Sequence, residues 1–387
     1  MTVEWFDLAQ RLAAASSGRV VDRLAHSPIR TPMRPVAVRA AMAGTHVSVT
    51  AAVPGTRAQT REDVDALRML GDLGVLVSGD PCTLVTDHPR TLVALRRLAH
   101  RTREDGRVGD VAAHVGWWAD RADFPGSSST VNLVSTCTTR WVTGSTPEAE
   151  RQAATWRRWL RVTDDSVLSM FTLLDLVAEG DPLPLLAEIA SDDAYAWGEA
   201  AQAYADGWDW RLPDTTGRAA YGLRARCDTA DLWAAALLDD PTYRRRAVHT
   251  GHVVHGTSTV PGGKSKTALR VTCDRMDARL RAGSGIVGWT PAIRDGGPRF
   301  SGYVTGTGVS GGRLVLDLSV GSALRPAAGS RVTLIPAPPD TGQARRGRRQ
   351  YRSLYATRTS WLSTGRTPVP MRRDVPLDVL LAGASDD

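Results

Sequence analysis

The residues of this chain that are best suited to chemistry are arginines concentrated in one short run. Residues 344–352 hold five of them: Arg345, Arg346, Arg348, Arg349 and Arg352. Guanidinium groups at this density are a common sign of contacts with nucleic-acid phosphates, although such charge runs also occur on solvated surfaces. Tyr351, Tyr355 and Trp361 accompany the run, and aromatic rings among arginines suit stacking on exposed bases. The pattern predicts a segment that contacts nucleic acid.

Two further pairs of arginines extend this predicted interface. Arg157 and Arg158 lie between tryptophans at helical spacing, in the most basic and aromatic helix that the sequence predicts. Arg96 and Arg97 lie on another predicted helix. An amphipathic helix with its arginines in solvent explains the same pattern around Arg157. We include all four side chains as predicted phosphate contacts.

Metal and nucleotide sites are not predicted. His249, His252 and His255 are three residues apart, and on a strand that spacing alternates between the two faces, which is a poor arrangement for metal ligands. Residues 258–265 resemble the end of a phosphate-binding loop, but Ser258 stands where glycine is required and a strand-like segment follows. The sequence therefore predicts no metal and no cofactor.

An enzymatic site remains a third possibility without a local motif. Its members would have to assemble from dispersed residues, for example His114, His249 or His252 with nearby acids. Pairs of carboxylates are present in the middle of the chain, but acids at helix caps and on solvated faces are far more common than catalytic pairs. No catalytic residue is assigned, and a non-catalytic role is predicted.

Composition indicates an ordinary globular protein. The chain has 387 residues and a net charge of +7, with only two lysines, Lys264 and Lys266. Arginine in place of lysine, with abundant alanine and glycine, is what a GC-rich bacterial coding sequence produces, so the arginine count alone is weak evidence for a polyanionic partner. The four cysteines lie far apart without a CxxC pair, which predicts free thiols in a reducing compartment.

Targeting signals are not predicted either. The first residues carry acids and no basic segment ahead of a long apolar core, which argues against a secretory signal. No stretch reaches the roughly 18 uninterrupted apolar residues of a membrane span. We expect a cytoplasmic protein with no membrane association.

Residues 60–100 are predicted to form a winged helix. Thr60 is a suitable N-cap, and acids and an apolar stripe at helical spacing follow it. Residues 75–77 and 82–86 are predicted to form the two strands of a wing, and residues 87–98 a closing helix. The acids of the first helix would repel phosphate, so a protein-binding winged helix or a plain α/β subdomain fits the same segment.

The chain as a whole divides by composition into five parts. Residues 1–105 form the N-terminal α/β unit, and residues 106–145 a connecting region. Residues 146–245 are helical, with proline and acids at helix starts. Residues 247–338 carry six short strands with glycine-rich turns, which predicts a small barrel or sandwich. Residues 339–387 form a basic C-terminal extension, ending in an apolar tail over residues 374–381.

The predicted fold class is therefore α+β with several domains. The leading functional hypothesis is a cytoplasmic, non-catalytic bacterial protein that binds nucleic acid, DNA in preference to RNA, mainly through arginine–phosphate contacts. The second hypothesis is an adaptor or scaffold subunit of a larger bacterial protein assembly, in which the arginines meet acidic protein surfaces. The third is an enzyme whose site is not visible in the sequence.

Overall fold

The computed structural model describes residues 3–76, 80–102, 104–207, 216–260, 267–290, 299–321 and 325–356. The chain folds into two compact units. Unit 1 comprises residues 1–212 and 226–341, and unit 2 comprises residues 213–225 and 342–387. The predicted α+β class is confirmed, because helices and strands both occur in large numbers in the described ranges.

The helices of the described residues are α1 (Val3–Ser17), α2 (Asp63–Asp72), α3 (Pro89–Thr102), α4 (Gly109–Arg121), α5 (Leu133–Arg140), α6 (Ala153–Leu160), α7 (Ser169–Ala178), α8 (Leu186–Ala205), α9 (Thr216–Asp239), α10 (Pro241–Ala247) and α11 (Thr341–Ala356). The strands are β1 (Val21–Asp22), β2 (Pro35–Ala43), β3 (His46–Ala52), β4 (Gln59–Glu62), β5 (Thr83–Thr86), β6 (Thr130–Asn132), β7 (Trp141–Val142), β8 (Val254–Thr259), β9 (Ala268–Cys273), β10 (Gly285–Trp289), β11 (Arg299–Ser310), β12 (Arg313–Val320) and β13 (Arg331–Pro336).

A five-stranded mixed sheet organises the first part of unit 1, in the order β4-β3-β2-β5-β6. Strands β2 and β3 form an antiparallel hairpin, whereas β5 runs parallel to both β2 and β6. Helices α2, α3 and α4 cover one face and α5, α6 and α7 cover the other. Val36 and Val38 point to the first face and Ala37 to the second, because successive strand residues alternate in direction.

The winged-helix prediction is not confirmed. Residues 59–62 are strand β4, paired with β3, so the following helix begins at Asp63 rather than after Thr60. Strand β5 lies between β2 and β6 and not in a wing, and all four of its residues are buried. Residues 75 and 76 are not in a strand, and residues 77–79 lie outside the described part. Burial on both faces is the environment of a central parallel strand.

The C-terminal part of unit 1 contains a closed six-stranded barrel, which is one of the two alternatives, barrel or sandwich, predicted for it. Its strands follow the order β10-β11-β12-β9-β8-β13, and β13 pairs with β10 to close the ring. Its core is built from apolar side chains, among them Leu269, Val271, Phe300, Leu316 and Leu334. Gly288 permits this packing, because a Cβ there would lie 2.4 Å from the ring of Phe300.

Helices α8 and α9 form a further apolar cluster in unit 1. Leu186 and Ile189 of α8 pack with Leu232 and Ala236 of α9 and with Leu24, which follows β1. Across the helices that the structure describes, none combines the length and the apolar character that a bilayer crossing requires. Three cysteines, Cys82, Cys137 and Cys273, are buried free thiols, and Cys227 is exposed.

Several predicted features fall on residues outside the described ranges. They are the turn at residues 261–263, the hairpin connection at residues 296–298, the aromatic residue Trp361 and the apolar tail at residues 374–381. The domain boundaries drawn from composition stay predictions. Residues 106–145, predicted as a connection, supply α4, β6, α5 and β7 to unit 1.

Candidate functional site

The basic run predicted as a phosphate-binding segment forms helix α11. Arg346, Arg349 and Arg352 are exposed, Arg345 is half-buried, and Arg348 is buried. Residues three apart on an α-helix occupy neighbouring positions on one side, about 4.5 Å apart along the axis. The three exposed arginines therefore form one row along α11, which we call the α11 arginine row.

Positive charge in unit 2 is not offset by acids of the same segments. Residues 216–225 and 342–356, its described part, contain seven arginines and no aspartate or glutamate. An arginine row on such a segment produces a positive potential that extends into solvent and is screened by salt.

Two tyrosines hold α11 against the first half of α9 within unit 2. The rings of Tyr221 and Tyr351 are stacked with their centroids 6.3 Å apart, and Tyr351 Oη donates to the Gly217 carbonyl at 3.4 Å. The guanidinium of Arg352 lies 5.2 Å from the centre of the Tyr221 ring. Tyr351, predicted as a stacking surface for bases, is thus half-buried and contributes to the packing of its own unit.

Arg157 has a different environment from the arginines of α11. It is buried on α6, and its Nη2 donates to Oδ2 of Asp87, a carboxylate that follows β5 and is also buried. Arg39 of β2 makes two hydrogen bonds to the same carboxylate, at 3.0 Å and 2.6 Å. Arg157 is therefore part of a buried ionic cluster, Arg39–Asp87–Arg157, and its predicted phosphate contact is incompatible with this position.

The charge state of this cluster follows from two opposing effects. Burial by itself raises the pKa of Asp87, but hydrogen bonds and charge from Arg39 and Arg157 outweigh it and lower the pKa below its ordinary value. Asp87 is consequently an ionised carboxylate with its two oxygens occupied by arginines. Such a group holds α6 to the sheet and is not available as a general base.

The other three predicted arginines lie on the surface of unit 1. Arg96 donates to the Ala119 carbonyl at 2.9 Å and lies 3.7 Å from the Asp123 carboxylate. Arg97 is exposed beside Met42. Arg158 is exposed, with its Nη2 3.4 Å from the hydroxyl of Ser145. The nine predicted arginines lie on three helices: five on α11, Arg96 and Arg97 on α3, and Arg157 and Arg158 on α6.

None of the histidines considered for catalysis is hydrogen-bonded to a carboxylate in the described part of the chain. His114 is buried, with Nδ1 2.8 Å from the Leu76 carbonyl, and burial lowers its pKa to about 4. His252 Nδ1 contacts the Thr250 hydroxyl at 2.9 Å, and no hydrogen bond joins His249 to an acid. Within the same residues, no three His, Cys, Asp or Glu side chains are grouped to hold a metal ion.

One surface that the sequence analysis missed is a groove between α1, α5 and α10 in unit 1. It has two adjoining lobes, of about 240 and about 580 Å³, which share Arg23, Thr138 and Arg246. The sequence carries a local signal for one wall of this groove, a helix start at Asp240-Pro241 with three arginines in the same helix. Asp240 caps α10 by accepting hydrogen bonds from the Thr242 and Tyr243 amides. We call this surface the α1–α10 groove.

No protein family, curated protein or solved structure matches this chain at a significant level.

Proposed function

We propose that this protein binds nucleic acid through the α11 arginine row, by contacts between guanidinium groups and backbone phosphates. The observation that carries the proposal is the row itself, with Arg346, Arg349 and Arg352 exposed along one side of a helix in an acid-free segment. Arginine is suited to this contact because its planar fork donates two parallel hydrogen bonds to a phosphate.

Duplex DNA is the preferred ligand in this proposal. The major groove of B-form DNA admits an α-helix, and the row of arginines on a helix can follow the phosphates at its edge. The major groove of A-form RNA is too narrow and deep for side chains to read. The proposal also includes the half-buried Arg345 on the same helix. From unit 1 it includes the exposed Arg97 and Arg158 and the half-buried Arg96. It leaves out Arg157 and Arg348, whose side chains are buried.

The test compares the purified protein with an Arg346→Gln/Arg349→Gln double variant by fluorescence anisotropy over a salt series. Labelled duplex DNA, single-stranded DNA and RNA serve as ligands. Losing two duplex phosphate contacts should lower the slope of log affinity against log salt by about 2 and weaken binding roughly tenfold at low salt.

A matched control removes the same charge elsewhere. Arg57 and Arg313 are exposed in unit 1, and the Arg57→Gln/Arg313→Gln double variant changes the net charge equally. If both double variants weaken binding to the same extent, net charge and not the α11 row is responsible, and the proposal is wrong. Equal slopes for the wild type and the α11 variant would also contradict it.

An adaptor role is the second proposed function, because one observation favours it. Helix α1 exposes Trp5, Leu8 and Leu12, which lie at positions i, i+3 and i+7 and form an apolar stripe. Apolar stripes on exposed helices are typical of protein-binding surfaces. Co-purification of a stoichiometric protein partner that a Leu8→Ser/Leu12→Ser variant loses, together with no nucleic-acid binding at physiological salt, would favour the adaptor over the first function.

A further inference from the structure

We propose that the α1–α10 groove binds a nucleoside 5′-phosphate, either free or as the 5′ end of an oligonucleotide. This inference concerns unit 1 alone and does not depend on the function proposed for α11. It rests on the charge balance of one lobe, the aromatic lining of the other and the position of Arg246 where the two lobes meet.

The larger lobe carries more positive than negative charge. Its lining includes four arginines and two acids, and hydrogen bonds already assign the acids to two of the arginines. Asp7 accepts from Arg11 at 3.0 Å and from Arg23 at 2.5 Å, and Glu150 accepts from Arg11 at 2.8 Å. The surplus charge belongs to the remaining two arginines.

Arg151 and Arg246 are those two arginines. Arg151 is exposed, Arg246 is half-buried, and the side chain of neither has an ion pair or a hydrogen bond within the residues that the structure describes. A phosphate monoester carries about −1.5 to −2 charges at neutral pH, which matches two guanidinium groups. The lobe therefore suits a terminal phosphate better than a singly charged anion or the bridging phosphate of a polymer.

Like charges accumulate at the junction of the lobes. Burial lowers the pKa of Arg23, and the neighbouring Arg246 lowers it further against the opposing effect of Asp7. Arg23 Nε also has no hydrogen-bond partner among the described residues. A bound anion would relieve the repulsion between Arg23 and Arg246, which is a physical reason for this place to select a negatively charged ligand.

The smaller lobe is lined by rings. Phe6 of α1, Trp233 and Leu237 of α9 and Tyr243 of α10 surround a volume of about 240 Å³. A nucleobase is a planar aromatic group, and any of the bases can stack on such rings. Since Arg246 lines both lobes, a base in the smaller lobe and a phosphate in the larger one fit the connectivity of one nucleotide.

Arg246 has an internal control on its own helix. Arg244 lies over the ring of Trp289 at 4.8 Å, and Arg245 is exposed and does not line the groove. Arg245→Gln therefore removes the same charge from the neighbouring position and leaves the groove intact. The pair Arg246→Gln and Arg245→Gln separates binding in the groove from a general effect of charge.

The test is isothermal titration calorimetry with AMP, UMP, adenosine and inorganic phosphate on the full chain. We expect millimolar or tighter binding of both mononucleotides, at least tenfold weaker binding of adenosine and phosphate, and at least a tenfold loss with Arg246→Gln but not with Arg245→Gln. Phe6→Leu should weaken binding of the mononucleotides and leave that of inorganic phosphate unchanged. Competition by a 5′-phosphorylated oligonucleotide, absent for its unphosphorylated form, would identify a nucleic-acid end as the source.

Several results would overturn the inference. They are no binding of mononucleotides at millimolar concentration, equal binding of AMP and inorganic phosphate, and equal losses in the two arginine variants. Thermal unfolding without ligand provides the folding control, because Arg246→Gln removes a like-charge repulsion and should not lower the melting temperature. The Arg346→Gln/Arg349→Gln variant should keep its mononucleotide affinity, so failure of the α11 proposal and failure of this one give different results.

Discussion

Helices α6 and α11 have similar compositions but place Arg157 and Arg346 in opposite environments. Both combine arginines with aromatic residues, and neither contains an acid. On α6, Arg157 is buried against Asp87, a carboxylate 70 residues away in the chain. On α11, Arg346 is exposed and makes no ion pair or hydrogen bond within the described residues. The role of a basic run therefore depends on whether its arginines face solvent or a carboxylate from a distant segment of the chain.

Arg157 and Arg346 differ in what neutralises the charge of the guanidinium group. A buried guanidinium has lost its hydration, and it is stable there only if a carboxylate and further hydrogen bonds replace the water. An exposed guanidinium keeps its hydration and can exchange water and counterions for a phosphate. Removing the charge of Arg157 should therefore affect folding, and removing the charges of the α11 arginine row should affect binding.

The largest expected effect is on the buried cluster. Asp87→Ala leaves Arg157 buried without its carboxylate, and we expect it to lower the free energy of unfolding by about 3–5 kcal/mol. Urea denaturation followed by tryptophan fluorescence measures this change. A loss below about 1 kcal/mol would show that the cluster tolerates an uncompensated arginine, and the contrast with α11 would fail.

Acid provides a check on the same cluster. The pKa of Asp87 is lower in the folded state, so its stabilising contribution is complete above the unfolded value of 3.8 and is lost as the pH falls below that value. The difference in stability between the wild type and Asp87→Ala should therefore begin to shrink as the pH falls below about 3.8 and should be lost as the pH falls through the lower folded pKa. A difference that stays constant with pH would mean that Asp87 acts without its charge.

His114 produces a second, separate response to acid. The pKa of His114 is about 4 in the folded chain, and its ordinary value is 6.5. Between these two pH values the imidazole is protonated in the unfolded chain and neutral in the folded chain. The free energy of unfolding should fall by about 3 kcal/mol between pH 7 and pH 4. His114→Gln should make the free energy of unfolding less dependent on pH in this range. NMR titration of the imidazole in the wild type reports the pKa directly.

A smaller effect is expected from the partly exposed member of the cluster. Arg39→Ala removes two hydrogen bonds from Asp87 but leaves the bond from Arg157, so we expect a loss of about 1–2 kcal/mol. The measurement is the same urea denaturation. If Arg39→Ala lowers the free energy of unfolding as much as Asp87→Ala does, the stabilisation by the cluster comes from Arg39 and not from Arg157.

The smallest effect on folding is expected on α11. Arg346→Gln/Arg349→Gln changes exposed side chains only, so the free energy of unfolding should change by no more than about 0.5 kcal/mol. The same variant should show the change in salt dependence described above. A large loss of stability with unchanged binding would reverse the roles of α6 and α11.

Much of the barrel could be predicted from the sequence. Short alternating segments separated by glycine-rich turns indicated six strands, and strands β8 to β13 are found there. The alternation holds because each strand has an interior and an exterior face. The choice between barrel and sandwich was open, since it depends on whether β13 meets β10, and no local pattern encodes that pairing.

The sheet of unit 1 was not predicted for a related reason. Strand β5 has the same local signature as one strand of a small wing, but its partners, β2 and β6, lie about 45 residues before and after it. Parallel pairing joins distant segments, and the turn residues near β5 gave no information about them. Residues 60–100 were assigned as an independent motif for that reason.

The sequence by itself determined the positive charge of the segment that forms α11, the thiols without partners and the strands of the barrel, because composition and periodicity are local properties of the chain. Only the tertiary structure decided that Arg157 is buried against Asp87, that Arg346 is exposed, and that Arg23, Arg151 and Arg246 line one groove. Each of these facts depends on which distant segment faces a side chain, and burial and charge pairing act across space and not along the sequence.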